Sequence, residues 1–393
     1  MKDTNQKKRA NGTPKIVAIV GPTASDKTKL AIALAKKFNG ELISADSRQI
    51  FKGMDIGTNK DKSYPQHLID IVNPDEEFSV AQFQKMAYKL IGEILKRGKL
   101  PILVGGTGLY IDAVLYGYSI PPKTKESARL RQELERQDAQ ALWRKLQKLD
   151  SKSAVKIGPH NKRRIVRALE VTLLQKMPFS QLQNKRQVPF QALIIGINIP
   201  RVTLYQAIGD RVDAMIARGL VGETEKLAKK YSFDLPSMSS IGYKEIGQYL
   251  QKQISLKQAI DEIKQKTRNF ARRQLTWFRR NKEIVWIENA EQAIDAVAYF
   301  LADQPRKICL KIYGNVLGVF FRASAQKLAQ DLNLSGFAVN ASDQTVEIVA
   351  EGQEANLNKF LKWCRQGPAL AQVDKVEAQW GKFSGEFSSF EIR

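Results

Sequence analysis

The segment Gly21-Pro22-Thr23-Ala24-Ser25-Asp26-Lys27-Thr28 restricts the folds open to this chain more than any other. An apolar run, Ile16-Val17-Ala18-Ile19-Val20, leads into it, and Leu30-Ala31-Ile32-Ala33-Leu34-Ala35 follows. The first reads as a buried strand and the second as a helix. That is the strand–loop–helix setting a phosphate-binding loop requires. The backbone N–H groups of residues 21–28 and the helix N-terminus would hold a di- or triphosphate. Lys27 would neutralise phosphate charge, and Thr28 would help hold Mg²⁺. The motif expects glycine before the lysine, where this chain has Asp26. Asp tolerates left-handed backbone better than most residues, so the turn is expected to survive. Its carboxylate, however, opposes an anion.

Composition narrows the function. At 393 residues the chain suits two or three domains, and it has no apolar run long enough to span a bilayer. The polar start, Met1 to Arg9, lacks the apolar stretch of a signal peptide, and Cys309 and Cys364 form no metal spacing. A reducing, cytoplasmic setting is expected. The net charge of +23 argues for a polyanionic partner. Residues 306–393 hold 11 Lys+Arg against 9 Asp+Glu, so nearly all the excess lies before them. The front part is therefore expected to bind nucleic acid.

Residues 1–14 read as a disordered basic leader. From Lys15, strand candidates Lys15–Val20, Glu41–Ser44 and Pro101–Val104 alternate with helix candidates Lys27–Phe38 and Val80–Arg97. This is the pattern of an α/β fold, a parallel sheet with helices on both faces. Lys125–Leu174 reads as an inserted helical lobe within about 123–190. A strand is expected over Ala192–Ile199, long basic helices over Leu204–Tyr231 and Leu256–Arg280, a short strand at Val285–Ile287 and a closing helix over Ala290–Ala302. This domain is expected to run from 15 to 303. After a break at Asp303-Gln304-Pro305-Arg306, residues 306–393 follow the order β-α-β-β-α-β, a ferredoxin-like α+β sandwich.

Ala45-Asp46-Ser47-Arg48-Gln49-Ile50-Phe51 follows the second strand, Gly53-Met54-Asp55-Ile56-Gly57-Thr58 comes next, and Gly105-Gly106-Thr107-Gly108-Leu109-Tyr110 follows the third. Ligands of open α/β sheets bind at the carboxyl ends of the strands, so Asp46, Thr107 and the loop should converge there. A carboxylate facing a phosphate site serves as a metal partner, a general base or both. Alone, such an Asp is more often a helix cap.

Together these segments resemble the tRNA dimethylallyltransferases, with their G-P-T-A-S-G-K-T, D-S-x-Q, G-M-D-I-G-T and G-G-T-G-L-Y elements. The resemblance continues through His67–Ile71, Arg163–Val171, Ile241–Glu245 and Thr267–Phe278. It implies transfer of a dimethylallyl group from dimethylallyl diphosphate to N6 of the adenosine 3′ of a tRNA anticodon. Asp46 would accept the amine proton, and Thr107 would bond the bridging oxygen. Lys27, Arg211 and Mg²⁺ on Thr28 would neutralise the leaving diphosphate. Ser47, Arg48 and Gln49 would hold the extruded base. Arg129, Arg163, Arg164 and Arg167 match positions near the tRNA anticodon stem-loop. Arg272 and Arg273, interleaved with aromatics in Phe270–Arg280, suit its backbone or stacked bases. The chain departs from the family at Asp26 and at Ala207, where an R-I-x-x-R pattern usually starts with arginine. Reduced donor affinity is expected from both.

The tail resembles acylphosphatases. Gly314-Asn315-Val316-Leu317-Gly318-Val319-Phe320-Phe321-Arg322 is similar to G-x-V-Q-G-V-x-F-R, and Asp343-Gln344-Thr345-Val346-Glu347 to D-G-T-V-E. The resemblance gives Arg322 a phosphate to hold and Asn340 a water to orient. Leu317 and Gln344 are departures. A monomer is expected. Two alternatives stand beside the transferase reading: a tRNA-binding protein with an impaired donor site, and a P-loop nucleoside kinase that would consume ATP.

Overall fold

The computed structural model describes residues 13–121, 124–182, 188–302 and 305–393. Residues 1–12 of the expected leader, residue 123 and residues 183–187 of the expected insertion, and Asp303-Gln304 of the expected break lie outside them. The chain divides into two compact units between Gln292 and Ala293.

The first unit opens with β1 (Lys15–Val20), α1 (Lys27–Lys37), β2 (Gly40–Ser44), β3 (Gln66–His67), α2 (Val80–Lys96), β4 (Leu100–Gly105) and α3 (Gly108–Leu115). A helical lobe follows: α4 (Lys125–Glu135), α5 (Ala139–Leu149), α6 (Ser151–Ile157), α7 (Lys162–Gln175) and α8 (Phe179–Leu182). The chain returns as β5 (Gln191–Ile197), α9 (Arg201–Ala217), α10 (Leu220–Ala228), α11 (Tyr243–Leu250), α12 (Leu256–Phe278) and β6 (Ile284–Ile287). The unit boundary falls inside α13 (Ala290–Leu301).

The six strands pair in parallel in the order β3-β2-β4-β1-β5-β6. β1 is apolar from Ile16 to Val20 because helices cover both faces of such a sheet. Ile16, Ala18, Val20, Ile43 and Leu103 pack against Phe83, Ile91 and Tyr110, the last stacked on Phe83 at 4.2 Å. Each large side chain removed from water contributes about 1.5–3 kcal/mol. Capping boxes start α2 at Ser79/Gln82 and α12 at Ser255/Gln258. The lobe has its own core of Leu134, Leu142, Leu146, Ile165 and Leu169.

The expected single helix over Leu204–Tyr231 is two helices. Gly219, at φ +95°, takes a left-handed turn that interrupts the backbone ladder and starts α10 in a new direction. β3 and α11 were not expected. Pro14, assigned to the leader, accepts a hydrogen bond from the Gln191 amide at 2.7 Å.

The second unit contains β7 (Pro305–Asn315), α14 (Phe321–Asp331), β8 (Ser335–Asn340), β9 (Val346–Gln353), α15 (Glu354–Cys364), β10 (Gln372–Lys382) and β11 (Phe390–Ile392). Its sheet order, β10-β7-β9-β8-β11, is antiparallel except where β11 runs parallel to β8. The inward side chains Ile308, Leu310, Ile312, Ile348 and Ala350 meet Phe321, Leu357 and Phe360 of the helices.

Candidate active site

The phosphate-binding loop closes on itself. The Ser25 hydroxyl donates to the Pro22 carbonyl at 2.8 Å, and Lys27 Nζ folds back to the same carbonyl. Ala24 and Asp26 both lie in the left-handed region, at φ +59° and +55°. Asp26 thus holds the turn in glycine's place and makes no side-chain cap bond to α1. The Thr28 hydroxyl has no partner among the described residues.

Across the carboxyl edge of the sheet stand the residues after β2 and β4. Asp46 Oδ1 accepts the Arg48 amide at 2.9 Å, a local side-chain turn in a segment where no helix starts. Thr107 occupies the N-cap position of α3 without capping it. Its Oγ1 instead accepts the Ser47 amide at 3.0 Å and donates to the Ser47 hydroxyl at 3.3 Å. The structure therefore brings Asp46, Ser47 and Thr107 together.

Electrostatics joins them to the loop. Burial first, and then the nearby Arg211, lower the Lys27 ammonium to about 7 against the opposing pull of Asp46 and Asp26. Burial also pulls Arg211 below the usual guanidinium value, against the attraction of Asp46 and Asp26. Tyr110 is pushed up to about 12 by burial and by Asp46. The field of one carboxylate thus acts on Lys27, Arg211 and Tyr110. Beside the loop a cavity of about 390 Å³ is lined by Ala24, Asp26, Asn59, Ala207, Arg211, Ala214 and Arg218, so both departures from the family pattern face one space.

The residues fit a Mg²⁺ ion of the usual hard-ligand kind. Among the described residues no three His, Cys, Asp or Glu side chains form a cage. A free Thr28 hydroxyl beside a phosphate site suits Mg²⁺, which takes few protein ligands and draws the rest from phosphate and water.

Several positioning residues escaped the sequence. Gln274 of α12, buried, accepts the Thr23 amide through Oε1 and donates from Nε2 to the Gly106 carbonyl, both at 2.8 Å. Trp277, one turn on, donates to Asp112 at 2.9 Å. The Glu223 carboxylate accepts the amides of Asp55, Ile56 and Gly57 at 2.8–3.1 Å and the Tyr243 hydroxyl at 2.6 Å. A side chain at Gly57 would strike the Tyr243 ring at 2.5 Å, which accounts for the second glycine of that motif. Buried Lys60, paired with Asp55 and Asp70, ties down the same loop. Gln49 is held between the Ser44 hydroxyl (3.0 Å) and the Thr58 carbonyl (3.3 Å).

The arginines divide into two kinds. Arg129, Arg163, Arg164, Arg272 and Arg273 are exposed. Arg163 is near enough to Arg48 to oppose its charge, and Arg48 also donates to the Pro236 carbonyl at 2.8 Å. Arg167, by contrast, is paired with the buried Glu170 at 2.5 Å, beside Arg131 at 3.0 Å.

The family model of IPP transferase matches residues 49–281. The chain belongs to the IPP transferase family. It is 43% identical over 332 residues to a tRNA dimethylallyltransferase of Geobacillus thermodenitrificans (strain NG80-2), covering 82% of this chain and all of that one. The crystal structure of a tRNA delta(2)-isopentenylpyrophosphate transferase from Staphylococcus epidermidis matches at 39% identity and TM-score 0.54, over 74% of this chain and 99% of that one. A eukaryotic dimethylallyltransferase acting on tRNA matches at 28% identity and TM-score 0.66, over 74% and 80%. As a family member the chain is an enzyme of the transferase class.

The acylphosphatase family model matches residues 308–392 of the second unit. There the amides of Leu317, Gly318, Val319 and Phe320 have no hydrogen-bond partner among the described residues. Gly318 and Phe320 are left-handed at φ +74° and +58°, and α14 starts directly after them. Arg322 Nη1 donates to the main-chain oxygen of Arg393 at 2.9 Å, and Asn340 is exposed at the end of β8.

Proposed function

We propose that the first unit transfers a dimethylallyl group from dimethylallyl diphosphate to N6 of the adenosine 3′ of the anticodon in tRNA. The observation that carries this is the Asp46 carboxylate standing in the shared field of Lys27 and Arg211, with Thr107 tied to the neighbouring Ser47.

The donor's diphosphate lies along residues 21–28. Lys27 leaves the Pro22 carbonyl to meet it, and Arg211 meets it from α9. N6 attacks the allylic carbon, the carbon–oxygen bond breaks, and its electron pair leaves with the diphosphate. Asp46 takes the N6 proton. The Thr107 hydroxyl hydrogen-bonds the bridging oxygen, and the cations stabilise the departing charge. Mg²⁺ held at Thr28 supplies further neutralisation when bound. Ser47 and Arg48 border the base, Gln49 keeps their loop in place, and exposed Arg129, Arg163, Arg164, Arg272 and Arg273 meet the stem-loop backbone, with Arg167 anchoring the lobe. The protein acts as a monomer.

The decisive experiment is single-turnover transfer of labelled dimethylallyl diphosphate to an anticodon stem-loop with Mg²⁺. Label on the RNA supports the reading. RNA binding without label favours an impaired donor site. ATP consumption with a nucleoside acceptor favours a kinase.

For the second unit we propose acyl phosphate hydrolysis, with the four free amides and Arg322 holding the phosphate and Asn340 orienting water. Release of phosphate from a small aryl acyl phosphate, lost in Arg322→Ala, tests it.

A further inference from the structure

The cavity beside the phosphate-binding loop contains a cation that the proposed reaction leaves unused. Ala207, Arg211 and Ala214 form one stripe of α9, and Arg218 extends it at the C-cap, since residues spaced four, three and four apart share a helix face. Ala24, Asp26 and Asn59 complete the lining. Three of these seven residues are alanines, so the space between the charged groups is open.

Arg211 has no hydrogen-bond or ion-pair partner among the described residues. Arg218 has one, the Asn59 side-chain oxygen, which accepts from Nη2 at 2.7 Å. Among the described residues no carboxylate forms an ion pair with either guanidinium; Asp46 and Asp26 attract Arg211 from a distance, and the Arg218 charge opposes it. The two guanidiniums repel each other across the cavity, the single Asp26 carboxylate in its lining offsets this only in part, and a multiply charged anion between them turns the repulsion into attraction. Asn59 is placed to aim Arg218, because its amide bonds the Ile56 carbonyl at 3.0 Å within the loop that Glu223 clamps.

We propose that Arg218, oriented by Asn59, is a second anion-binding residue of the donor site and grips the diphosphate together with Arg211, at the end away from the acceptor base. This rests on the donor-site reading above. Arg218 is exposed, so its attraction is partly screened and weakens with salt.

The test is calorimetric titration of inorganic diphosphate, with Mg²⁺, into the full chain at low and high ionic strength. Arg218→Gln is expected to weaken binding about tenfold at low salt, the scale of one charged hydrogen bond, and to flatten its salt dependence. Arg218→Lys should fall between Arg218→Gln and the parent. Asn59→Ala should weaken binding by about threefold through loss of orientation. Stem-loop affinity should stay within about twofold in all three, because Arg218 faces the donor cavity. Equal diphosphate affinity in Arg218→Gln and the parent, with Lys27→Met clearly weakened, overturns the proposal and leaves the donor site standing. A loss of stem-loop affinity in place of diphosphate affinity assigns Arg218 to RNA and also overturns it. If the parent fails to bind diphosphate, the donor-site reading falls and the proposal falls with it.

Discussion

The side-chain amide of Gln274 fills the space a Cβ on Gly106 would need: Nε2 lies 2.1 Å from that point. The same side chain bonds the Thr23 amide and the Gly106 carbonyl, so α12 holds the phosphate-binding loop and the loop before Thr107 in one register. Gln274→Ala leaves a buried donor and acceptor unpaired and should cost about 1–3 kcal/mol. Gly106→Ala alone should also destabilise, by collision. In the double variant the added methyl has room, so the two costs should fall short of their sum. Thermal melts of the four proteins check this, and strict additivity would falsify the shared-space account.

Lys27 sets a pH dependence. Its folded value of about 7 lies below the ordinary 10.5, so between these values the unfolded chain holds more proton and the ligand-free protein gains stability as pH rises. Donor binding runs the other way, because only the ammonium attracts diphosphate. Diphosphate affinity should fall as pH rises through about 7, with proton uptake on binding seen as a buffer-dependent heat. Lys27→Met should remove most of both effects. A flat profile from pH 6 to 9 in the parent would mean that the lysine is already charged before the anion binds, against the lowered value.

Asp26→Gly should tighten diphosphate binding by about tenfold, as it removes a carboxylate from the cavity. It should also relieve a left-handed residue costing about 1 kcal/mol. Because Asp26 supports the Lys27 charge, the gain should be greater at pH 6 than at pH 8. Unchanged affinity at both pH values would place the carboxylate away from the ligand.

Gln344 is left-handed at φ +64° in the turn between β8 and β9. Glycine takes that conformation without strain, so Gln344→Gly should stabilise the second unit by about 1 kcal/mol, a shift of roughly 4–8 °C for a unit of this size. Calorimetry of the full chain should show one transition moving and the other still. A downward shift would mean that the side chain contributes packing.

What the sequence made legible was what it keeps local. The loop 21–28, Asp46 and Thr107 each sit in a short segment beside a strand, and strand polarity alone brings those segments together. Gln274 lies 251 residues from Thr23, and Glu223 166 to 168 residues from the amides it holds, so no local pattern could pair them. The break at Gly219 was hidden because apolar periodicity continues through it. β3 is two residues long and carries no alternation. The pairing of Arg167 with Glu170, three residues on, was legible as an i,i+3 charge pair, though not the burial of the carboxylate that makes it matter.

The placement of Gln274 and Trp277 on α12 also limits how this chain can vary over generations. Each residue added to a helix turns everything beyond it by about 100°. A single insertion between Leu256 and Arg272 would swing Gln274 off Thr23 and Gly106 and rotate Arg272 and Arg273 out of their exposed positions in the same step. Substitutions can accumulate along this helix, but its length upstream of Gln274 is closed to change, and lineages that gain or lose residues must do so in the turns on either side.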